Sequence, residues 1–175
     1  MKVLWAIFCI TLAAILELTA GNFRLPIPLI AAVCFYLTVV YQWKVAVAAC
    51  LLPAGMVDAF LGRPAPCTAM LLAGAAALGV FWKHEGDCRK AALQLLPGLL
   101  FGGIAVLWLV ICRLLVNAGL QGGGFLGEAT LMMRLGLCAL LSIPVTATLL
   151  DALARRLDLP RYENAQQKWE APHGT

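Results

Sequence analysis

Glu17 and Asp58 are the residues of this 175-residue chain whose surroundings make chemistry conceivable, because each carboxylate interrupts a long apolar run. An ionisable group at the centre of a membrane helix costs about 2.5 to 3.5 kcal/mol on insertion scales, so one that persists is usually paired or functional. Two carboxylates sharing a proton could act as an aspartic-protease-like dyad. No G-x-G-D pattern surrounds Asp58, whose context is Gly55-Met56-Val57-Asp58, so a structural role is expected. Both acids approach the outer ends of their runs, as do Arg113 and Arg134 in later runs. The expectation is an inward-facing layer of ion pairs made by Glu17, Asp58, Arg113 and Arg134; the alternative is that the long arginine side chains snorkel to the interface.

The remaining chemistry is sparse. Ser142, the single serine, lies in Leu141-Ser142-Ile143-Pro144, outside any nucleophile elbow, and is expected to bond its own helix. The stretch Lys83-His84-Glu85-Gly86-Asp87-Cys88 begins like H-E-x-x-H but lacks the second histidine, so it reads as a solvated turn. Gly119, Gly122, Gly123, Gly124 and Gly127 form a glycine-rich stretch without the Gly-Lys-Ser/Thr ending of a phosphate-binding loop. Seven cysteines are scattered without a C-x-x-C pair and read as small apolar fillers, Cys88 in its polar loop excepted. Asp151 precedes Arg155 by one helical turn, a favourable order worth a few tenths of a kcal/mol. No catalytic, cofactor or metal site is expected, and no enzymatic activity.

The elements that position these groups follow from composition. The chain is 62% hydrophobic and 13% charged, with a mean hydropathy of +0.89, whereas a soluble domain carries about 25% charged residues. Its apolar runs approach the roughly 20 residues needed to cross hydrocarbon and show no strand-like alternation, so they are expected to be helices, not barrel strands. An all-α membrane protein is expected, a six-helix transmembrane bundle with spans at 3–20, 25–41, 45–61, 67–82, 91–116 and 130–154. Residues 1–157 form one helical domain and 158–175 a polar tail that rests on lipid or meets a cytoplasmic partner. The first span is expected to remain uncleaved, since Leu18 suits a signal-peptidase site poorly.

Orientation comes from the basic residues. Lys2, Lys44, Lys83, Arg89, Lys90, Arg155, Arg156, Arg161 and Lys168 gather on one side and only Arg24 and Arg63 on the other, which predicts cytoplasmic N- and C-termini. The basic residues form no patch interleaved with aromatics, so nucleic acid is excluded as a partner. Ala69, Ala73 and Ala77 recur every fourth residue, and Gly98 with Gly102 forms a G-x-x-x-G step. Both are expected to let helices approach closely within the subunit, with docking to another membrane subunit as the alternative. Pro53, Pro97 and Pro144 interrupt apolar runs and free carbonyls that a neighbouring helix must cover.

From Phe23 to about Met70 the order of features resembles the rod shape-determining membrane protein family MreD. The residues that carry the resemblance are Phe23-Arg24-Leu25-Pro26, Tyr36, Gln42-Trp43-Lys44 and Met56-Val57-Asp58-Ala59-Phe60-Leu61-Gly62, followed by Pro144, Leu149-Leu150 and Arg155-Arg156 near the end. Ala59 stands where the family often has leucine, and Gln42-Trp43 replaces its usual turn residues. The resemblance implies a non-catalytic subunit of the bacterial cell-elongation machinery in the inner membrane. That subunit binds MreC and connects the MreB filament system to peptidoglycan synthesis, with Arg24, Tyr36, Asp58 and Gly62 as structural or interface residues. A competing reading is the substrate-binding subunit of an energy-coupling-factor vitamin transporter, which also looks like a six-helix protein of this size. Its usual Ala-x-x-x-Ala dock in the first helix is missing, since Glu17 follows Ala13 four residues later. The partners expected are therefore the lipid bilayer, an MreC-like protein and other cell-wall elongation proteins, with no small-molecule ligand.

Overall fold

The computed structural model describes residues 2–23, 25–63, 66–85, 95–117, 125–157, 159 and 162. The regular elements among them are all helical: α1 (Lys2–Asn22), α2 (Leu29–Val40), α3 (Trp43–Phe60), α4 (Cys67–Glu85), α5 (Leu95–Asn117) and α6 (Phe125–Arg156). All except α2 are long and apolar enough to cross a membrane, as a helical membrane protein requires. Their outer faces are apolar too, with Val3, Ile7, Leu52, Leu99, Leu107 and Leu141 exposed. Water would penalise such continuous apolar surface, whereas lipid accepts it.

The second expected span, 25–41, is shorter as a helix than its apolar run. Leu25 and Ile27 each precede a proline, and the proline ring disfavours the α conformation of the residue before it. Residues 25–28 therefore lead in without helical structure, through tight N–H to C=O bonds from Ile27 to Leu25 and from Leu29 to Ile27, both 3.0 Å. Helix α2 begins only at Leu29 and has 12 residues, about 18 Å of rise. Every residue from Ile30 to Val39 is buried. A helix that is apolar all round belongs inside a bundle, and α2 is packed by α1, α3, α4 and α6.

Helix α6, at 32 residues, extends beyond the expected 130–154 at both ends, so Gly127 of the glycine-rich stretch is helical. Residues 91–94 and 118–124, which include the expected start of the fifth span, lie outside the described residues.

Close helix packing appears where the glycines predict it. A Cβ on Gly98 of α5 would collide with the Leu140 carbonyl oxygen of α6, and one on Gly102 would come within 2.9 Å of the Gly136 carbonyl oxygen. Leu140 is the residue whose carbonyl Pro144, four residues on, cannot bond. Gly98 lets α5 lie directly against that freed carbonyl, the cover that a helix-interior proline demands. The alanine row behaves differently from expectation. Ala73 and Ala77 are exposed and Ala69 is half-buried, because the inward face of α4 is instead Leu72, Ala75, Ala76 and Gly79. At Gly79 a Cβ would lie 2.9 Å from Thr38 of α2, so this glycine sets the α2–α4 approach.

Candidate functional site

The polar cluster forms around the turn between α3 and α4. Helix α3 ends in a Schellman motif: the Gly62 N–H bonds the Ala59 carbonyl at 3.1 Å and the Arg63 N–H bonds the Asp58 carbonyl at 3.0 Å. Gly62 takes φ +61°, a left-handed conformation that glycine adopts without the Cβ penalty. The motif folds Arg63 back over the last turn of α3. Its Nη1 lies 2.9 Å from Asp58 Oδ1 and 3.6 Å from Glu17 Oε1.

Asp58 is 5% exposed and Glu17 1%, so both carboxylates need full sets of donors. Asp58 Oδ2 accepts the Thr68 N–H at 2.9 Å and the Ala69 N–H at 3.3 Å, and Oδ1 accepts the Thr68 hydroxyl at 2.8 Å. These amides open α4, where a helix has no carbonyls of its own to satisfy them. Glu17 plays the same part for α2: its Oε2 accepts the Ile30 N–H at 3.0 Å. Pro28, the N-cap residue, offers no side-chain cap, so the carboxylate arrives from α1. Thr68 Oγ1 also lies 3.3 Å from Glu17 Oε1, but its single proton favours the shorter contact to Asp58.

Arg63, and not Arg134, is the base that meets both acids among the described residues. Arg134 is exposed on α6, whose chief neighbours are α5 and α2 and not the helices that carry the acids. The side chain of Arg113 lies outside the described residues. A signal for Arg63 exists in the sequence: Asp58, Gly62 and Arg63 have the spacing of a Schellman motif that brings residue six back to residue one.

The opposite end of the bundle holds a second set. Tyr36 on α2 donates its hydroxyl to Asp151 Oδ1 on α6 at 3.3 Å, and the same oxygen accepts the Tyr162 N–H at 2.6 Å. The Tyr36 and Tyr162 rings stack with centroids 6.1 Å apart and planes 12° from parallel. Tyr162, which falls in the expected polar tail, is 1% exposed and belongs to the core. Asp151 is buried and turned inward. At the same end Lys83 of α4 donates to the Tyr41 carbonyl, the C-cap of α2, at 2.9 Å.

The remaining sequence candidates fall outside both sets. Ser142 bonds the Ala139 carbonyl of its own helix at 2.8 Å, as expected. Arg24 and Cys88 lie outside the described residues. Gly98, Gly102 and Pro144 act in the α5–α6 seam. No cluster of metal-ligating side chains occurs among the described residues.

Glu17 and Lys83, one from each end of the bundle, cap the short buried helix α2. A negative side chain sits at its N-terminus and a positive one at its C-terminus, matching the helix dipole at both ends. No family model, curated protein or solved structure matches the chain.

Proposed function

We propose that the chain is a non-catalytic scaffold subunit of the bacterial cell-elongation machinery. It resides in the plasma (inner) membrane, binds an MreC-like protein and links the MreB filament system to peptidoglycan synthesis. The supporting observation is what Tyr36, Asp58 and Gly62 do. These positions carry the MreD resemblance, and each sits at a joint where the fold needs that residue type: Asp58 capping α4, Gly62 in a left-handed turn, Tyr36 bonding Asp151. A scaffold needs a rigid bundle, and these joints supply rigidity.

Six crossings with both termini in the cytoplasm complete the reading. The lead-in at 25–28 adds about 12 Å to the roughly 18 Å of α2, so together they match a hydrocarbon core of about 30 Å. Lys44, Lys83, Arg155 and Arg156 lie at the helix ends opposite the Glu17 cluster, as the positive-inside rule requires for a cytoplasmic face. A transporter subunit would direct its buried polar groups at a solute. Here Glu17, Asp58, Arg63 and Thr68 are engaged with one another and with helix ends.

Affinity purification from bacterial membranes in mild detergent tests the proposal. Co-recovery of an MreC-like protein and cell-wall synthesis enzymes is the expected outcome, together with rounding of rod-shaped cells on depletion. Recovery of an ATPase pair with a bound vitamin, and vitamin auxotrophy on depletion, would replace it with the transporter reading.

A further inference from the structure

Arg134 is a charge that the fold leaves outside. It is exposed on α6 and shares a helix face with Leu137, Leu141 and Val145, which are exposed as well. Among the described residues it has no hydrogen bond or ion pair, since Glu17 and Asp58 meet Arg63. Its depth follows from the helix register, because α6 at 32 residues is longer than a membrane requires. Across the antiparallel α5–α6 seam Gly98 faces the Leu140 carbonyl and Gly102 the Gly136 carbonyl, which sets Arg134 level with Ile104. A Cβ added to Gly74 of α4 would lie 2.9 Å from Ile104. Ile104 is at the middle of the apolar stretch Leu95–Cys112, and Gly74 is near the middle of Cys67–His84. Arg134 therefore faces outward at about mid-membrane, deeper than its place in the sequence suggests.

We propose that this face of α6 docks a transmembrane helix of another protein, one that carries an aspartate or glutamate near its centre and pairs it with Arg134. The inference rests on the helices crossing a membrane and not on the name of the partner. A charge at that depth, facing hydrocarbon, is costly and calls for an opposite charge. Reaching the headgroups instead means a climb of about 15 Å, half of the hydrocarbon core, which is more than one arginine side chain covers. A second copy of this chain does not supply the acid. The acids within its apolar stretches, Glu17, Asp58 and Asp151, are buried, and a two-fold contact through this face sets Arg134 against Arg134. On the docked helix, Leu137, Leu141 and Val145 give the apolar contact around the pair, and the absence of water strengthens the charge attraction.

Photocrosslinking in living cells that express the full chain tests this, with p-benzoylphenylalanine replacing the exposed Leu137. The expected result is an adduct with a second membrane protein, and mass spectrometry places the crosslink in a transmembrane segment of that protein that contains Asp or Glu. Arg134→Met lowers the adduct yield about tenfold or more while the purified chain keeps its melting temperature, and Arg134→Lys retains most of the adduct. Exchanging the partner's acid for its amide lowers the yield to the same degree, and combining Arg134→Asp with an arginine at the partner's acid restores it. Adducts with phospholipid alone, with a second copy of the chain or with a helix that lacks an acid overturn the proposal, as does an adduct whose yield Arg134→Met leaves unchanged. A crosslinked partner outside the cell-elongation machinery supports the dock and counts against the scaffold reading. Carbonate extraction of the same cells separates the remaining levels. A chain that stays in the membrane without the adduct overturns the dock alone, whereas a chain released by carbonate overturns the membrane reading with it.

Discussion

Asp58 serves three partners with two oxygens, and its neighbours explain why a carboxylate is tolerated there. Glu17 and Asp58 bring two negative charges, Arg63 brings one positive charge, and the N-termini of α2 and α4 each contribute about half a positive charge. The charges nearly balance, which offsets part of the desolvation cost of burying them. Removing the Arg63 charge, the one base that meets these acids among the described residues, leaves two buried acids under-compensated, which is the strongly destabilising way to break a buried pair. Arg63→Met is therefore expected to cost about 3 kcal/mol, and Arg134→Met, at an exposed position, about 0.5 kcal/mol or less. Thermal unfolding of the detergent-solubilised variants checks both values, and equal losses would restore Arg134 to the network. Glu17 and Asp58 were legible in the sequence because acids are rare in apolar runs. Arg63 was not singled out because its counted position, in an external turn, hides the Schellman motif that returns it to the bundle.

Helix α2 shows how an element is decided by its neighbours. Its 12 residues have high apolar content and no caps of their own, and an isolated helix of that length is marginal. Packing on four helices and borrowed caps from Glu17 and Lys83 hold it. The α5–α6 seam is the complementary case, since Gly98, Gly102 and Pro144 announce close contact in the sequence itself. Gly98→Ala forces a methyl group against backbone, where nothing can swing aside, and overpacking of this kind costs about 1 to 3 kcal/mol. Gly103 on the same helix has no atom within 4 Å of an added Cβ, so Gly103→Ala is expected to be neutral or slightly stabilising. Melting temperatures of the two variants, measured side by side, should separate; similar shifts would show that the seam is looser than described. The alanine row at Ala69, Ala73 and Ala77 carries a lesson in the other direction. Small residues at helical spacing permit contact, but the face that is used depends on which helix is adjacent.

Across the whole molecule, α2 is held between two polar sets, the Glu17–Asp58–Arg63 cluster at one end and the Tyr36–Asp151–Tyr162 set at the other. The second set joins α2, α6 and Tyr162, so Tyr162 contributes to the stability of the bundle. Tyr162→Ala removes a fully buried aromatic ring and its stacking on Tyr36, and truncations of this type cost about 3 to 5 kcal/mol. The expected outcome is a lower melting temperature together with faster proteolysis of the tail; an unchanged melting temperature would mean that Tyr162 is not part of the folded unit. A bundle locked at both ends suits the proposed scaffold, which must offer a fixed surface to its partners.

The composition and spacing of apolar runs were enough to predict helices long and apolar enough to cross a membrane, because hydrocarbon leaves no other way to satisfy so many backbone groups. The sequence also marked the residues that lipid makes costly, Glu17 and Asp58, and the small residues that allow close approach, Gly98 and Gly102. Tertiary structure alone decided that Arg63 also reaches Glu17, which small-residue face is buried and that Tyr162 belongs to the core. Each of these depends on groups far apart along the chain, and apolar helices of similar composition can pair in many ways until whole surfaces are fitted together.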